Sequence, residues 1–206
     1  MTGRQDEKVG LPVMESFYTL QGEGFHTGKP AFFIRLGGCD VGCSWCDVKP
    51  SWDATVWPPK SVDELLSQAG QYPAKALVVT GGEPLLYNLG HLTKTFKEAG
   101  YQTFIETSGC HEITGWWDWI CISPKKQQPP LPGVLPLAHE LKVIIEKEDD
   151  FNWAETCKKE VLARCHLFLQ PEWSSRQKMM PEVIRYIKNH PEWAISLQSH
   201  KYMQIP

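Results

Sequence analysis

Residues 37–47 read GGCDVGCSWCD and bring Cys39, Cys43 and Cys46 into a stretch of eight residues. A disulfide uses two thiols and a structural zinc site uses four ligands, so a group of three indicates a different kind of site. Three thiolates can ligate three irons of a 4Fe–4S cluster and leave the fourth iron free to bind a substrate. The glycines of this stretch allow positive φ angles, which let a short loop fold closely around a cluster.

The same cysteines could instead hold zinc together with one distant histidine, because three cysteines and one histidine form an ordinary zinc ligand set. His26 and His111 are the candidates for that fourth ligand. Spacing alone therefore leaves two sites open, an iron–sulfur cluster with a vacant iron or a closed structural zinc site.

The composition bounds the class of protein. With 206 residues the chain is long enough for one domain with a sizeable core, so we expect a single domain over residues 1–206. Its net charge of −3 gives no electrostatic reason to expect nucleic acid or a membrane surface as a partner. No apolar run approaches the ~20 residues that span a bilayer, and the polar N-terminus does not resemble a signal peptide. We therefore expect a cytoplasmic protein, in which thiols stay reduced.

Short apolar and β-branched runs alternate with helical patterns, which predicts an α/β fold with a parallel sheet covered by helices. The predicted strands cover residues 31–36, 76–80, 102–106, 119–123, 140–145, 166–170 and 194–198, and the predicted helices cover residues 61–69, 88–99, 149–163 and 175–190. A proline-rich stretch, residues 123–139, cannot form a regular helix, and a complete eightfold barrel takes ~250 residues. We therefore predict an incomplete, open (β/α)6-type partial TIM barrel with some helices missing.

Polar and glycine-containing motifs follow the predicted strands where ligands of such barrels bind. TGGEP (80–84) follows the second strand, ETSG (106–109) the third, SPKK (123–126) the fourth and QPE (170–172) the sixth. The carboxylate of Glu83 suits an ammonium group as a partner. A Gly-Gly-Glu sequence alone indicates only a turn, but together with the cysteine loop it indicates one composite site.

The order C-x3-C-x2-C with Trp45 before the last cysteine, combined with TGGEP, resembles the radical S-adenosylmethionine (SAM) enzymes. A closer resemblance covers nearly the whole chain: residues 16–39, TGGEP, ETSG, SPK and the final SLQSHKYMQIP (196–206) are similar to the 7-carboxy-7-deazaguanine synthase family. The resemblance implies a radical SAM carbon–nitrogen lyase of queuosine biosynthesis, which supplies a modified tRNA base. Its expected reaction is the ring contraction of 6-carboxy-5,6,7,8-tetrahydropterin to 7-carboxy-7-deazaguanine with loss of ammonia.

The resemblance also implies the residues of the site. The cluster ligands would be Cys39, Cys43 and Cys46. The SAM-binding residues would be Trp45, Cys46, Asp47, Gly82, Glu83, Glu106, Ser108, Ser123, Pro124, Lys125, Gln170, Pro171 and Glu172. The substrate-binding residues would be Leu20, Gln21, Gly22, Glu23, Arg35, Thr80 and Pro206.

Four of these assignments have structural alternatives. Arg35 lies in an apolar run, where an unpaired guanidinium is costly, and we assign it to the substrate carboxylate; a surface ion pair is the alternative. Ser108 could be a helix cap and Lys125 a solvated charge. Chain ends are usually frayed, yet the resemblance implies that the terminal carboxylate of Pro206 binds the edge of the pterin.

The expected magnesium site has an unusual residue. The resemblance implies Mg2+ held by a hydroxyl residue directly after the Cys-Asp pair, but that position is Val48. A hard cation needs oxygen ligands, so we expect a weaker Mg2+ requirement, with Asp47, Ser51 and Asp53 as the nearby oxygen donors. The resemblance further implies a homodimer and an electron donor such as flavodoxin.

Two alternative functions have distinct signatures. Another radical SAM enzyme, such as a glycyl-radical activase, would cleave SAM but ignore the carboxypterin. A non-catalytic zinc-binding module would be colourless and would contain neither iron nor sulfide.

Overall fold

A single sheet runs through the part of the chain described by the computed structural model, residues 10–206. Residues 1–9, which carry most of the polar segment that argued against a signal peptide, lie outside the described residues. The strands are β1 (Leu11–Leu20), β2 (Pro30–Leu36), β3 (Pro59–Lys60), β4 (Ala76–Gly81), β5 (Gln102–Thr107), β6 (Trp119–Ile122), β7 (Glu140–Ile145), β8 (His166–Pro171) and β9 (Trp193–Ile195). Their order in the sheet is β3-β1-β2-β4-β5-β6-β7-β8-β9.

Neighbouring strands in the row β2-β4-β5-β6-β7-β8-β9 pair in parallel. Strand β1 runs antiparallel to both of its neighbours, β2 and β3. The α-helices are α1 (Val62–Ala69), α2 (Gly90–Glu98), α3 (Asp150–Lys158), α4 (Arg176–Asn189) and α5 (Ser199–Met203). Short 3-10 helices cover Lys49–Trp52, Ala54–Val56, Pro84–Leu86 and Leu135–Leu137.

Helices are absent from two connections. Within residues 10–206, the chain forms no α-helix between β5 and β6 or between β6 and β7, where the proline-rich stretch lies. The parallel strands β2, β4, β5, β6, β7 and β8 therefore form the predicted (β/α)6-type partial barrel with some helices missing, which confirms the expected fold. None of the described helices is long and apolar enough to cross a membrane.

Helix α1 begins as its sequence predicts. Ser61 Oγ accepts a hydrogen bond from the backbone N–H of Glu64, and the Glu64 carboxylate accepts one from the backbone N–H of Ser61. This reciprocal capping box satisfies two of the amide donors that a helix start leaves without partners.

The C-terminal part of the chain differs from the predicted elements. The predicted strand 194–198 is shorter, because β9 ends at Ile195, and residues 199–203 form the unpredicted helix α5. The cause lies at Ser196, whose hydroxyl donates to Gln170 Oε1 at 2.6 Å and accepts from the amide of Gly24 at 3.0 Å. These bonds commit Ser196 to neighbouring segments, and the chain turns into α5 after it.

Alternation along the strands separates the two faces of the sheet. One face packs on the helices and holds the main core, which includes Leu77, Ile105 and Leu141 from the strands and Leu65 and Phe96 from the helices. The residues between them on the strands point to the other face. That opposite face carries Arg35 and Thr80, which are register partners, together with Glu106, Lys142 and Gln170. The sheet therefore has an apolar outer face and a partly polar inner face.

Candidate active site

The inner face opens into a cavity of about 270 Å³ at the carboxyl ends of the strands. Most residues expected at the site line it: Leu20, Gln21, Gly22, Glu23, Arg35, Cys43, Trp45, Cys46, Asp47, Thr80, Gly82, Glu83, Glu106, Ser108, Ser123, Lys125, Gln170, Glu172 and Pro206. Three expected residues, Cys39, Pro124 and Pro171, are not among the lining residues. Residues distant in sequence thus meet around one space, as predicted from the carboxyl-end positions of their motifs.

The cysteine loop follows β2 directly and carries three free thiols. Gly38 and Gly42 adopt φ angles of +99° and +67°, which glycine adopts without steric cost. Burial raises the pKa of the Cys39 and Cys43 thiols, and the neighbouring thiol of Cys46 adds to the rise. Three clustered sulfurs that share one loop fit soft thiolate ligation of an iron–sulfur cluster, since bound metal ions stabilise the thiolate form.

The TGGEP turn packs against the cysteine loop without space for a side chain. A Cβ on Gly82 would lie 2.3 Å from the carbonyl oxygen of Gly38 and 2.6 Å from Cys39 Cβ. The backbone amide of Glu83 donates to the same Gly38 oxygen at 2.8 Å. The two motifs singled out in the sequence therefore form one interlocked unit.

Glu83 has several hydrogen-bond partners within the protein. Its carboxylate is 1% exposed and accepts bonds from Thr107 Oγ1 at 2.6 Å, from Ser108 Oγ at 2.6 Å and from the amide of Ser108 at 2.9 Å. It also accepts from the amide of Leu85 at 3.1 Å. Glu83 thus joins the end of β4 to the end of β5, and Ser108 serves this carboxylate rather than capping a helix.

A buried lysine that the sequence analysis missed lies in the cavity wall. Lys142 Nζ lies 2.5 Å from Glu23 Oε2 and 3.7 Å from Glu106 Oε2, and its side chain is 5% exposed. Burial alone would lower its pKa, but the charges of Glu106 and Glu23 outweigh burial and raise the pKa well above the ordinary lysine value. Gln21 Nε2 donates to Glu106 Oε1 at 2.5 Å, so the network reaches the loop after β1. The only feature of the sequence that marks Lys142 is the presence of a lysine inside the apolar run ELKVII.

The C-terminal segment fastens onto two loops of the cavity. The amide and the hydroxyl of Ser199 both donate to the carbonyl of Gly22, at 2.9 and 2.7 Å. Gln198 Nε2 donates to Glu23 Oε1 and to Asp47 Oδ2, each at 3.0 Å. Lys201 Nζ donates to the same oxygen of Asp47 at 2.7 Å. These bonds bring Pro206 to the cavity wall.

Arg35 forms an ion pair within the protein and also lines the cavity. Its Nε donates to Glu15 Oε1 at 2.6 Å across the β1–β2 pair, and its side chain is 21% exposed. The residue nevertheless lines the cavity. Since a guanidinium has five N–H donors, the ion pair leaves donors for a second partner.

The residues around Val48 do not fit a magnesium ion. Val48 lines the cavity but offers no side-chain oxygen. The carboxylate of Asp47 is engaged by Lys201 and Gln198, and the carboxylate of Asp53 accepts from Thr55. Ser51 is fully buried and donates to the carbonyl of Val48. The nearby oxygen donors therefore already have partners within the protein.

Neither histidine candidate for a zinc site joins the cysteine triplet. His26 stacks on Phe104, near the start of β5, with ring centres 4.6 Å apart. His111 pairs with Asp40 at 3.0 Å, and these two residues group with Cys110 as potential metal-binding residues. Both histidine rings therefore have partners other than the loop cysteines, His26 in Phe104 and His111 in Asp40.

Comparisons with known proteins agree with this geometry. Residues 33–114 match the profile of the Radical SAM superfamily. The chain is 52% identical to a 7-carboxy-7-deazaguanine synthase of Flavobacterium psychrophilum, over 95% of this chain and 93% of that protein. It is 45% identical to a 7-carboxy-7-deazaguanine synthase of Synechocystis sp., over 96% and 94%. The crystal structure of QueE from Escherichia coli superposes with a TM-score of 0.83 at 32% identity, covering 92% of this chain and 94% of that one.

The partial barrel and its cysteine loop define a protein of the radical SAM class. Within that class, the identities and the near-complete coverage show that the chain belongs to the 7-carboxy-7-deazaguanine synthase family.

Proposed function

We propose that the protein converts 6-carboxy-5,6,7,8-tetrahydropterin to 7-carboxy-7-deazaguanine, with ring contraction and loss of ammonia, in queuosine biosynthesis. The observation that carries this proposal is the 52% identity to a 7-carboxy-7-deazaguanine synthase over nearly the full length of both chains. The cavity supports it, because most of the residues that the family resemblance assigned to cluster, SAM and substrate line one space. A glycyl-radical activase or a zinc module is not favoured by any observation on this chain.

The cysteine loop would hold a 4Fe–4S cluster through Cys39, Cys43 and Cys46, and SAM would bind beside it. When bound, these two groups supply the one-electron chemistry that removes a hydrogen atom from C6 of the pterin. The protein's own contribution is a partly enclosed cavity that limits water and aligns C6 with the reacting group.

The SAM side of the cavity would be formed by the cysteine loop after β2 and by the carboxyl ends of β4, β5, β6 and β8. Lys125 Nζ donates to Ser123 Oγ at 2.6 Å and to its carbonyl at 2.7 Å, and it lies 5.3 Å from the ring centre of Trp45. We assign these residues to SAM, together with Cys46, Asp47, Gly82, Glu83, Glu106, Ser108, Pro124, Gln170, Pro171 and Glu172. Neither Pro124 nor Pro171 lines the cavity. The two prolines would therefore act indirectly, by fixing the backbone next to the lining residues.

The substrate side would be formed by the end of β1 and the loop after it, by β2 and β4, and by the C-terminal segment. We assign Leu20, Gln21, Gly22, Glu23, Arg35, Thr80 and Pro206 to the pterin. The free donors of Arg35 suit the substrate carboxylate. The Glu23 carboxylate, held by Lys142, presents acceptor oxygens that suit the N–H groups of the pterin ring.

The remaining assignments extend from the site to the whole protein. We propose one radical SAM domain over residues 1–206 that works as a homodimer in the cytoplasm and receives electrons from a donor such as flavodoxin. The seven free cysteines suit a reducing compartment. We assign it no nucleic-acid or membrane partner, and only a weak or absent use of Mg2+.

Anaerobic reconstitution with iron and sulfide tests the proposed function. The protein is expected to become brown and, after reduction of the cluster with dithionite, to form 7-carboxy-7-deazaguanine from the carboxypterin in the presence of SAM, as detected by mass spectrometry. Cys43→Ala should lose both colour and turnover, whereas Cys165→Ala, which changes a cysteine of the main core, should keep both. SAM cleavage without consumption of the carboxypterin would refute the assigned reaction, and colourless zinc-containing protein would refute the class.

A further inference from the structure

A polar segment between β6 and β7, residues 123–128, lies against the cysteine loop. The side-chain amide of Gln127 donates through Nε2 to Cys43 Sγ at 3.0 Å, a short distance for a bond to sulfur. Cys43 is 7% exposed, while Gln127 lies at the surface. A surface side chain therefore gives a hydrogen bond to a nearly buried sulfur.

Contacts on both sides hold Gln127 in place. Lys125 and Gln128 form an antiparallel bridge around it. Lys126 Nζ pairs with Asp149 and Asp150, each at 2.7 Å, which ties the segment to the start of α3. The segment is thus fixed to the framework, and the amide of Gln127 meets the sulfur as part of a defined turn.

We propose that Gln127 is a tuning residue that raises the reduction potential of the cluster. The inference rests on the proposed function in one respect, that Cys43 ligates a 4Fe–4S cluster. A hydrogen bond to a ligating sulfur stabilises the reduced cluster more than the oxidised one, because reduction adds negative charge to the sulfurs.

The structure offers a matched control in the adjacent glutamine. Gln128 Nε2 donates to Asp40 Oδ2 at 3.3 Å and is not bonded to a sulfur. Gln127→Leu removes the donor, and Gln127→Asn keeps the amide on a side chain that is too short to reach Cys43. Gln128→Leu makes the same chemical change as the first variant and removes a bond to the Asp40 carboxylate of the cysteine loop, but it removes no bond to a ligating sulfur.

The experiment is an EPR-monitored redox titration of the reconstituted proteins without SAM. At a fixed applied potential, both Gln127 variants should have about a tenfold lower ratio of reduced to oxidised cluster, which equals about 59 mV for a one-electron couple. Gln128→Leu should titrate like the unaltered protein. Superimposed titrations of the Gln127 variants and the unaltered protein, or an equal shift in Gln128→Leu, would overturn the inference while leaving the proposed function intact. A protein that binds no cluster at all would overturn both.

Discussion

Lys142 shows how one buried side chain can balance two carboxylates of the cavity wall. Its ammonium compensates Glu23 and Glu106 in a place where charges are poorly solvated. Sequence reasoning missed it, because a lysine in a strand is usually solvated and its carboxylate partners lie far away along the chain. The carboxylates would repel one another without it, and that consequence can be measured.

Lys142→Met is expected to lower the free energy of unfolding by about 3 kcal/mol, the lower end of the range for a broken buried pair, because it leaves two half-buried carboxylates without their counter-charge. Chemical denaturation of the cluster-free protein measures this effect. Lys158→Met is the matched control, since that ammonium pairs with Glu155 and Glu192 at the surface and its loss should cost less than about 1 kcal/mol. Equal losses in the two variants would contradict the assigned role.

The pH dependence of this pair follows from the direction of its shifts. Burial would raise the pKa of Glu23, but Lys142 outweighs burial and lowers it. The contribution of Glu23 is therefore present above the ordinary glutamate pKa and lost as pH falls through the lower folded value. The raised pKa of Lys142 keeps its contribution present below the ordinary lysine pKa and loses it only as pH rises through the folded value. The difference in the free energy of unfolding between Lys142→Met and the unaltered protein should thus stay constant from neutral to mildly alkaline pH. It should shrink in strong acid, and chemical denaturation at a series of pH values measures it.

Val48 gives a third prediction at the scale of one residue. Because the position has no oxygen and its neighbours are already bonded, turnover should persist when a chelator removes free Mg2+. Val48→Thr, which adds a hydroxyl of similar size, should gain stimulation by Mg2+. Visible absorption must be followed in parallel, so that loss of iron to the chelator is not mistaken for a magnesium effect. A sharp loss of turnover with the cluster intact would refute the prediction.

At the scale of elements, the site depends on how closely two loops approach. Gly82→Ala would place a methyl group 2.3 Å from the backbone oxygen of Gly38, so the TGGEP turn and the cysteine loop must separate. A displacement of this size is expected to lower kcat/KM by about 100-fold. Gly70→Ala is the control, because its added carbon would meet only ordinary contacts of 3.4 Å or more at the end of α1. Unchanged kinetics in Gly82→Ala would show that the two loops can separate without functional cost.

The strands and helices that were predicted accurately are those with a clear local signal in the sequence. Strands β4, β5 and β7 show apolar runs, and α1 shows its capping box, so each was predicted close to its observed limits. Strand β1 (LPVMESFYTL) was missed because most of its residues are half-buried, so no strict alternation marks a single buried face. Helix α5 is five residues long and is held by Gly22 and Asp47, partners at least 150 positions away, which no local pattern reveals.

At the scale of the whole molecule, the framework and the site occupy different parts of the structure. The main core lies between the sheet and its helices, whereas Val41, Cys43 and Cys110 form a separate small cluster at the cysteine loop. The positions of the motifs TGGEP, ETSG, SPKK and QPE in the sequence predicted that the site lies outside the core. Each motif follows a predicted strand, whose apolar residues supply the core. These positions could not predict which motifs touch, since loop packing depends on contacts such as those of Gly82.

This separation predicts what removal of the cluster does to the fold. The main core contains no cluster ligand, so the cluster-free protein should keep its far-UV circular dichroism and unfold cooperatively. Residues 37–58, in contrast, should lose protection from proteases, because their short 3-10 helices bury little apolar surface of their own. Cys43→Ala purified without iron should behave in the same way as the chelator-treated protein. Loss of secondary structure throughout the sheet on removing iron and sulfide would mean that the cluster is part of the folding core, and the division between framework and site would then be wrong.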